Sequence, residues 1–578
     1  MFDHIIKNAT VVDGTGAEPR VADVAIEAGR IAAIGAGLGP ARGSEDAEGL
    51  VLTPGFVDPH THYDAQLFWD PFATPSLSHG VTTVAGGNCG FTLAPLKPED
   101  ADYTRRMMCR VEGMSLAALE GGVPWNWSSF ADYLSALDGH TAVNAGFMAG
   151  HCAIRRHVMG PAATDPEASP TPAQLDAMVR LLHESMAAGA WGLSTTQSSS
   201  HADGEGNPVA SRRAAPEELL ALSRAVGEHE GTQIEAIVAG CLDRFSDEEI
   251  DLLVGMTAAA GRPLNWNVLT IDAAVPDRVP RQLEASERAR AAGGRIVALT
   301  MPILTPMNMS LGTFCALNLI PGWGEVLNLP KPDRIPKLLD PAVRAELLRR
   351  VASPEAGVFR RLGDFGRYVI GDTYADANKG LTGRKVADIA AERGRADDPF
   401  GVLVEICAAD NLRTVLWPMP TDNDPASWEL RRSTWEHPDV LLGGSDAGAH
   451  LDRMCGAPYT TRFLGDCLRR RKLVELPRAV RMLTSDPARL LGLRDRGLIA
   501  EGFHADLVLF DPERIDAGAA TLLHDLPGES PRLHSDAEGV HSVRVNGVEV
   551  IREGATTGAI PGRILRSGED TYSVPTRA

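Results

Sequence analysis

Short apolar runs alternate with amphipathic segments through the middle of the chain. The segments between the runs, such as 171–189 and 215–231, repeat apolar residues at helical spacing and end on glycine, as helix C-termini often do. This alternation predicts βαβ units around a parallel sheet. The apolar runs with the length of buried strands are 51–62, 80–90, 142–151, 190–197, 232–239, 263–270, 295–302 and 440–450. Eight such units predict an α/β fold of the (β/α)8 TIM-barrel type, with functional side chains at the C-terminal strand ends.

Both ends of the chain have a different pattern. Residues 4–50 and 497–554 contain short apolar stretches separated by Gly, Asp and Pro, which is typical of antiparallel strands. Asn546 and Gly547 lie between alternating apolar residues and predict a hairpin turn. We therefore expect a small β-sandwich built from both termini.

The chain is long enough for more than one domain. Between the seventh and eighth predicted strands lies a long insert, which we expect either to enclose the substrate or to serve packing or oligomer contacts. The predicted parts are a sandwich at 1–54, a barrel at 55–484 with its insert at 303–438, and the remaining sandwich with a tail at 485–578.

Composition restricts the class of protein. The formal net charge of -20 disfavours nucleic acid and anionic membrane as partners. Eight cysteines are scattered without C-x-x-C spacing, which indicates neither a disulfide framework nor a zinc knuckle. No leader-like start and no membrane-length apolar stretch is found in the sequence. We expect a cytoplasmic enzyme with a small-molecule substrate, which could form a homo-oligomer.

The first predicted strand ends in two histidines. His60 and His62 are two residues apart, so on a strand they point to the same side and could bind one ion. Asp58 and Asp64 lie close enough in sequence to accept hydrogen bonds from the ring N–H groups. Two solvated turn histidines are the alternative, but the preceding apolar run favours a metal site.

Several motifs together resemble one family. They are TPGFVDPHTHYD at 53–64, GVTTVAGGNCGFTLAP at 80–95, AGHCAIRRHVMG at 149–160, GGSDAGAH at 443–450 and ADLVLFD at 505–511. The chain resembles the amidohydrolase superfamily, and specifically the D-aminoacylase (N-acyl-D-amino-acid deacylase) family. The resemblance covers nearly the whole chain and is weakest between about 195 and 300. It implies a metal-dependent hydrolase that cleaves the C–N bond of an N-acyl amino acid or a similar carboxylate-bearing compound.

The resemblance also implies roles for individual residues. His60, His62 and Cys89 match metal ligands, and a thiolate is a good zinc ligand; a buried apolar cysteine is the alternative for Cys89. Asp446 matches an aspartate that contacts the metal and transfers the proton. His151 matches a histidine that could hydrogen-bond the scissile carbonyl or the developing oxyanion.

Four further residues are candidates for substrate binding. Arg155 could hold a substrate carboxylate, although a structural salt bridge is an equal alternative. His201, Arg212 and Arg213 lie in the polar stretch 194–214 after the fourth predicted strand. Loops at this face of a barrel surround the active site, so we expect substrate contacts there; a solvated connector is the alternative.

The sequence departs from the superfamily in the middle of the barrel. No histidine lies between His229 and His437, so the two ligands usual on the fifth and sixth strands are missing. No lysine lies between Lys97 and Lys331, which excludes a lysine carbamate on the fourth strand.

Other polar residues stand on those strands. Gln233 and Asn267 lie near the missing histidines, but neutral amides are weak zinc ligands. Glu235 could serve as ligand or base, or could be a buried glutamate paired with an arginine. We therefore expect a single Zn²⁺, with another divalent metal as the alternative. The alternative functions are hydrolysis of a cyclic imide or formamide, decarboxylation, or a non-catalytic scaffold.

Overall fold

The structure, a computed structural model, describes residues 1–577 and contains two compact units. The larger unit comprises residues 1–305 and the chain from residue 426 onward, and the smaller unit comprises residues 306–425. The smaller unit lies within the predicted insert 303–438.

Parallel strands form the centre of the larger unit. The first to eighth parallel strands are Phe56–Asp58, Val81–Gly86, Asn144–Phe147 with its continuation Ala149–Gly150, Gly192–Thr196, Gln233–Ile237, Leu264–Trp266, Ile296–Thr300 and Val440–Leu442. The first three pair in one sheet. The continuation of the third strand begins a second sheet that runs in chain order to the eighth strand. Each observed strand lies within one of the eight predicted runs.

The segments just beyond the first and eighth strands are hydrogen-bonded to each other. Thr61 and Ala447 form an isolated parallel bridge, and the backbone N–H of His62 donates to the carbonyl of Ala447 at 2.7 Å. The residues that follow these two strands are therefore held side by side.

Helices connect and cover the parallel strands. Thr171 caps the helix that begins at Pro172, and its capping box with Gln174 explains why the helix starts there. Gly261, at φ 58°, ends the helix that runs to Ala260. The α-helices of this part of the chain are Ala101–Val111, Leu116–Gly122, Phe130–Leu137, His151–Met159, Pro172–Ala187, Pro216–Gly227, Asp247–Ala260, Arg278–Ala291, Pro425–Thr434, Tyr459–Phe463, Leu476–Leu483 and Ser485–Leu490.

Most of the parallel strands are buried along their whole length, including the second, fourth, fifth and seventh. Such burial on both faces is typical of parallel strands covered by helices. Polar side chains on these strands must therefore find partners inside the protein, which makes their positions informative.

A separate sheet, the terminal sheet, combines strands from both ends of the chain. Its strands, in spatial order, are Ala555–Thr556, Val548–Arg552, Val540–Val545, Leu507–Phe510, Val51–Pro54, Phe2–Val11, Arg20–Glu27 and Arg30–Gly35, and Ala41–Asp46 also pairs with Phe2–Val11. Val545 pairs with Val548 across the predicted hairpin, and both turn residues, Asn546 and Gly547, have positive φ as such turns require.

The run 51–62 was predicted as one strand, and the structure divides it at Gly55. Residues before Gly55 pair in the terminal sheet, whereas Phe56 onward pairs with the second parallel strand. A Cβ at Gly55 would lie 2.0 Å from the hydroxyl oxygen of Thr82, so only glycine allows this close crossing from one sheet to the other.

Short antiparallel pairs complete the strands. In the larger unit Asp516–Ala517 pairs with Ala537–Glu538, and Thr521–Leu526 pairs with Ser530–His534. In the smaller unit Val369–Ile370 pairs with Leu416–Trp417.

The smaller unit has its own core. The ring of Phe365 stacks on Phe400 with centroids 4.3 Å apart, and Trp323 packs beside both. Its helices are Trp323–Leu327, Lys331–Leu339, Pro341–Ala352, Val386–Glu392 and Pro399–Ala409. The predicted insert is thus a folded element. Across residues 1–577, every helix is too short or too polar to cross a membrane.

Candidate metal centre

Two imidazoles lie side by side after the first parallel strand. His60 and His62 are fully or almost fully buried, and their ring centroids are 5.3 Å apart. Thr61, between them, points the other way and donates its hydroxyl proton to the carbonyl of Ala85 at 2.8 Å. Both imidazoles therefore face Cys89, as their two-residue spacing predicted, although the strand itself ends at Asp58.

Cys89 approaches the imidazoles from the turn after the second strand. Its φ of 56° is rare for a residue with a side chain and often marks a functional site. The side-chain amide of Asn88 donates to the carbonyl of Thr61 at 3.1 Å and thereby ties this turn to the histidine segment. The backbone N–H of Cys89 donates to Glu235 Oε2 at 2.8 Å. The thiol is thus held in place from two sides.

The distances within this trio suit a metal ion. Cys89 Sγ lies 3.5 Å from His60 Nε2 and 3.9 Å from His62 Nε2, and one ligand atom from each residue lies within 4.8 Å of the others. In a tetrahedral zinc site, nitrogen and sulfur ligands are separated by about 3.5 Å, given the usual bond lengths. The donors are also those that zinc prefers. The residues therefore fit a bound divalent cation.

Asp446 adds a carboxylate after the eighth strand. Its Oδ1 lies 3.3 Å from His60 Nε2 and 3.8 Å from His62 Nε2, and it accepts a hydrogen bond of 3.0 Å from Asn267 Nδ2. Burial, together with the nearby carboxylate of Asp58, raises the pKa of Asp446 to about 7. A cation at the trio would favour the ionised form, so this carboxyl group is suited to exchanging a proton near neutral pH.

The aspartates expected to orient the imidazole rings have other partners. Asp58 accepts hydrogen bonds from the backbone N–H of His60 at 3.3 Å and from the hydroxyl of Ser445. Asp64 accepts one from the backbone N–H of Gly87 at 3.0 Å. These carboxylates hold the three segments that carry the site. The expectation that they contact the ring N–H groups was wrong, because Asp58 turns toward Ser445 and the backbone of His60, and Asp64 turns toward the backbone of Gly87.

Two glutamates lie nearer the ring Nδ1 atoms. Glu235 Oε1 is 4.0 Å from His60 Nδ1, and Glu112 Oε1 is 3.6 Å from His62 Nδ1. Glu112, which follows the helix Ala101–Val111, was missed in the sequence. It lies neither on a strand nor in a recognisable motif, so no local pattern could have indicated it.

Burial disfavours the charged forms of the residues around the site. It lowers the pKa of His60 to about 3 and that of His62 well below its usual value, with His201 and other nearby histidines adding to the effect. It raises the pKa of Cys89, Glu112 and Glu235 well above their usual values, and neighbouring carboxylates raise them further. Neutral imidazoles are ready to ligate a metal, whereas the thiol must lose its proton as the metal binds.

His151 and Arg155 belong to another buried cluster. The ring nitrogens of His151 lie 2.9 Å from Thr195 Oγ1 and 2.8 Å from Glu218 Oε1, so both contact groups outside the trio. Arg155 donates to the other oxygen of Glu218. This pairing agrees with the salt-bridge alternative for Arg155.

The loop after the fourth strand brings a third histidine toward the trio. His201 Nδ1 lies 2.8 Å from Thr196 Oγ1, and its ring packs edge-on against Phe91, two residues beyond Cys89. His450, which follows the eighth strand, is also close enough to lower the pKa of His62 and His201. His450 was not recognised in the sequence, although it ends the GGSDAGAH motif.

The two arginines of this loop differ in their contacts. Arg212 donates to the backbone carbonyl of His201 at 2.8 Å, whereas Arg213 donates through Nε to the carbonyl of Thr164 at 3.2 Å. Burial and the neighbouring Arg213 lower the pKa of Arg212. Arg212 therefore lies nearer to the histidines of the site.

Gln233 lies at the start of the fifth strand, away from its C-terminal end. It pairs with Gly192, and its side chain accepts a hydrogen bond of 3.4 Å from Asn265. Glu235, two residues further along, and Asn267, just after the sixth strand, are the ones that contact residues of the site. Glu235 and Asn267 therefore lie further toward the C-terminal ends of their strands than Gln233 does, on the side where sites of such folds lie.

Comparison with known proteins gives a consistent result over the full length. Residues 44–557 match the amidohydrolase family. The chain is 30% identical to a D-aminoacylase of Alcaligenes xylosoxydans xylosoxydans, covering 98% of this chain and 97% of that protein. It is also 30% identical to an N-acyl-D-aspartate deacylase of the same organism, covering 98% of this chain and 95% of the relative.

A solved structure agrees. The N-acyl-D-glutamate deacylase of Bordetella bronchiseptica, determined with zinc and a phosphonate inhibitor that mimics the tetrahedral intermediate, superimposes with a TM-score of 0.65 at 26% identity. The alignment covers 98% of this chain and 100% of that one. The match to the family over most of the chain confirms the resemblance seen in the motifs, and the protein belongs to the amidohydrolase family, among the relatives of D-aminoacylase.

Proposed function

We propose that this amidohydrolase cleaves the amide C–N bond of an N-acyl-D-amino acid and releases a carboxylate and an amine. The observation that carries the proposal is the approach of His60, His62 and Cys89 to one point beside Asp446. The names of the full-length relatives, which are deacylases, favour this reaction over cyclic-imide or formamide hydrolysis, decarboxylation or a scaffold role.

The architecture in this proposal is a (β/α)8 barrel beside a small β-sandwich. The strand order, the continuation of the third strand from one sheet into the other, and the bridge between Thr61 and Ala447 support closure of the barrel. The terminal sheet supports a sandwich built from both ends, and the folded unit 306–425 is the insert.

His60, His62 and Cys89, with Asp446, would hold one divalent cation, and zinc suits this donor set best. Such a cation, when bound, polarises the scissile carbonyl and makes water more acidic. The strand-five and strand-six positions offer Glu235 and Asn267, which already contact Cys89 and Asp446. We therefore propose a single ion.

Asp446 is the proton-transfer residue. It accepts a proton from the attacking water as the new C–O bond forms, and it returns this proton to the nitrogen as the C–N bond breaks. Asn267 positions the carboxylate through its hydrogen bond to Oδ1.

Arg212 is the best candidate to bind the substrate carboxylate. It contacts His201, whose ring lies near the trio, and no acidic partner for it occurs among the ion pairs of residues 1–577. Arg213 and His201 would line the same region. His151 and Arg155, in contrast, would support the fourth strand through Glu218.

The test combines metal analysis with a turnover assay. Protein purified without chelator should contain about one ion per chain and release amine from N-acyl-D-amino acids faster than from their L-isomers. Chelation should abolish the release, and added zinc should restore it. A protein with neither bound metal nor amine release from any N-acyl amino acid would overturn the proposal.

A further inference from the structure

Both metal-binding imidazoles leave their second nitrogen without a partner. His60 Nδ1 and His62 Nδ1 are buried atoms with no hydrogen-bond partner among residues 1–577, although buried ring nitrogens nearly always have one. Their Nε2 atoms face Cys89 and Asp446. Since Nε2 would bind the cation, Nδ1 carries the proton and needs an acceptor.

Two buried glutamates face these nitrogens. Glu112 Oε1 lies 3.6 Å from His62 Nδ1, and Glu235 Oε1 lies 4.0 Å from His60 Nδ1. Glu112 is 3% exposed and Glu235 is fully buried. Glu235 Oε1 itself is a buried atom without a hydrogen-bond partner in the described part of the chain. Each of these ring nitrogens thus faces a carboxylate oxygen across a short gap.

Glu235 contacts a second ligand as well. Its other oxygen, Oε2, accepts the backbone N–H of Cys89 at 2.8 Å. One side chain therefore lies between His60 and the cysteine turn. It occupies the strand that carries a metal-binding histidine in most of the superfamily, and the carboxylate is placed to organise two remaining ligands.

We propose that Glu112 and Glu235 are positioning residues that accept the Nδ1–H of His62 and His60 and fix both rings with Nε2 toward the cation. This inference rests on the proposed metal-dependent function. A carboxylate behind a ligating imidazole fixes its tautomer and orientation and increases its basicity, and losing such a partner typically weakens metal binding by 10–100-fold.

The test measures the zinc dissociation constant by competition with a chromophoric chelator. E112Q and E235Q keep the side-chain shape and remove the charge. Each should weaken zinc binding by about tenfold or more. E218Q is the matched control, because Glu218 is also a buried glutamate beside a histidine, His151, that lies outside the trio. It should bind zinc within about threefold of the wild type.

The possible results separate this inference from the proposed function. Wild-type affinity in E112Q and E235Q would overturn the inference and leave the metal-dependent function intact, and weakening in only one variant would overturn the role of the other residue. A wild-type protein that binds no zinc would overturn both.

A measurement on the wild-type protein tests the inference even if the variants fail to fold. With ¹¹³Cd²⁺ and ¹⁵N-labelled histidine, two histidines should show cadmium coupling at Nε2 and a proton on Nδ1. Coupling at Nδ1 would refute the proposed orientation.

Discussion

Replacement of Arg155 by Met distinguishes the two roles that the sequence left open for this arginine. Arg155 is fully buried, and Glu218, its partner, is almost so. Burial raises the pKa of Glu218, but the contacts with His151 and Arg155 outweigh this effect and hold the pKa below its usual value. The carboxylate is therefore ionised and depends on its two partners.

The expected loss of stability in R155M follows from this burial. Removing one partner of a buried ion pair typically costs about 3–5 kcal/mol, because the remaining charge stays buried without compensation. His151 still contacts Glu218 at 2.8 Å and can offset part of the loss, so we expect about 3 kcal/mol for R155M. In the double variant R155M/E218Q the uncompensated charge is gone, and much of the stability should return.

The assay pairs urea denaturation with steady-state kinetics. If Arg155 is structural, R155M should lower the unfolding midpoint and leave the KM of the folded enzyme within about threefold of wild type, and the double variant should be more stable than R155M alone. A loss of stability below about 1 kcal/mol, combined with a KM raised more than tenfold, would refute this reasoning and assign Arg155 to the substrate carboxylate.

Four other substitutions give distinct outcomes. D446N should retain zinc, because the trio remains, but lose turnover by at least about a hundredfold since no base is left; wild-type turnover would exclude the proposed role. R212L should raise KM about tenfold or more with little change in kcat, because a charge-assisted hydrogen bond to the substrate is lost, and R213L should raise KM less. Equal increases in KM would contradict the assignment of the substrate carboxylate to Arg212. His79 is buried, which lowers its pKa to about 4. In the unfolded chain this imidazole binds a proton near pH 6.5, whereas in the folded chain it does so only near pH 4. The free energy of unfolding therefore falls as the pH falls from 6.5 toward 4, by about 2 kcal/mol at pH 5. Urea midpoints should therefore fall less steeply with acid in H79Q than in the wild type, and identical slopes would show that His79 does not contribute.

Much of the fold is predictable because apolar periodicity reports burial directly. Each of the eight observed parallel strands lies in a predicted run, and the helices Pro172–Ala187 and Pro216–Gly227 lie within predicted segments. The division of 51–62 between two sheets was missed. It depends on a close approach of Gly55 to Thr82, which is a contact between distant elements and leaves no local pattern.

The proximity of the candidate ligands was predictable from spacing and motifs. That of His60 and His62 follows from their two-residue spacing, and Cys89 and Asp446 were indicated by motifs of the family. Glu112 and His450 were missed, since each approaches the imidazoles through tertiary packing and not through sequence spacing.

The loss of the usual histidines on the fifth and sixth strands does not by itself remove metal chemistry from this protein. The three candidate ligands come from the segments after two neighbouring strands, and the carboxylate of Asp446 comes from a third segment that is bridged to the first. The replacement residues then serve this smaller set, because Glu235 holds the backbone of Cys89 and Asn267 holds Asp446. An ion bound here would have one position and one adjacent proton acceptor, which fits the proposed hydrolysis of an amide.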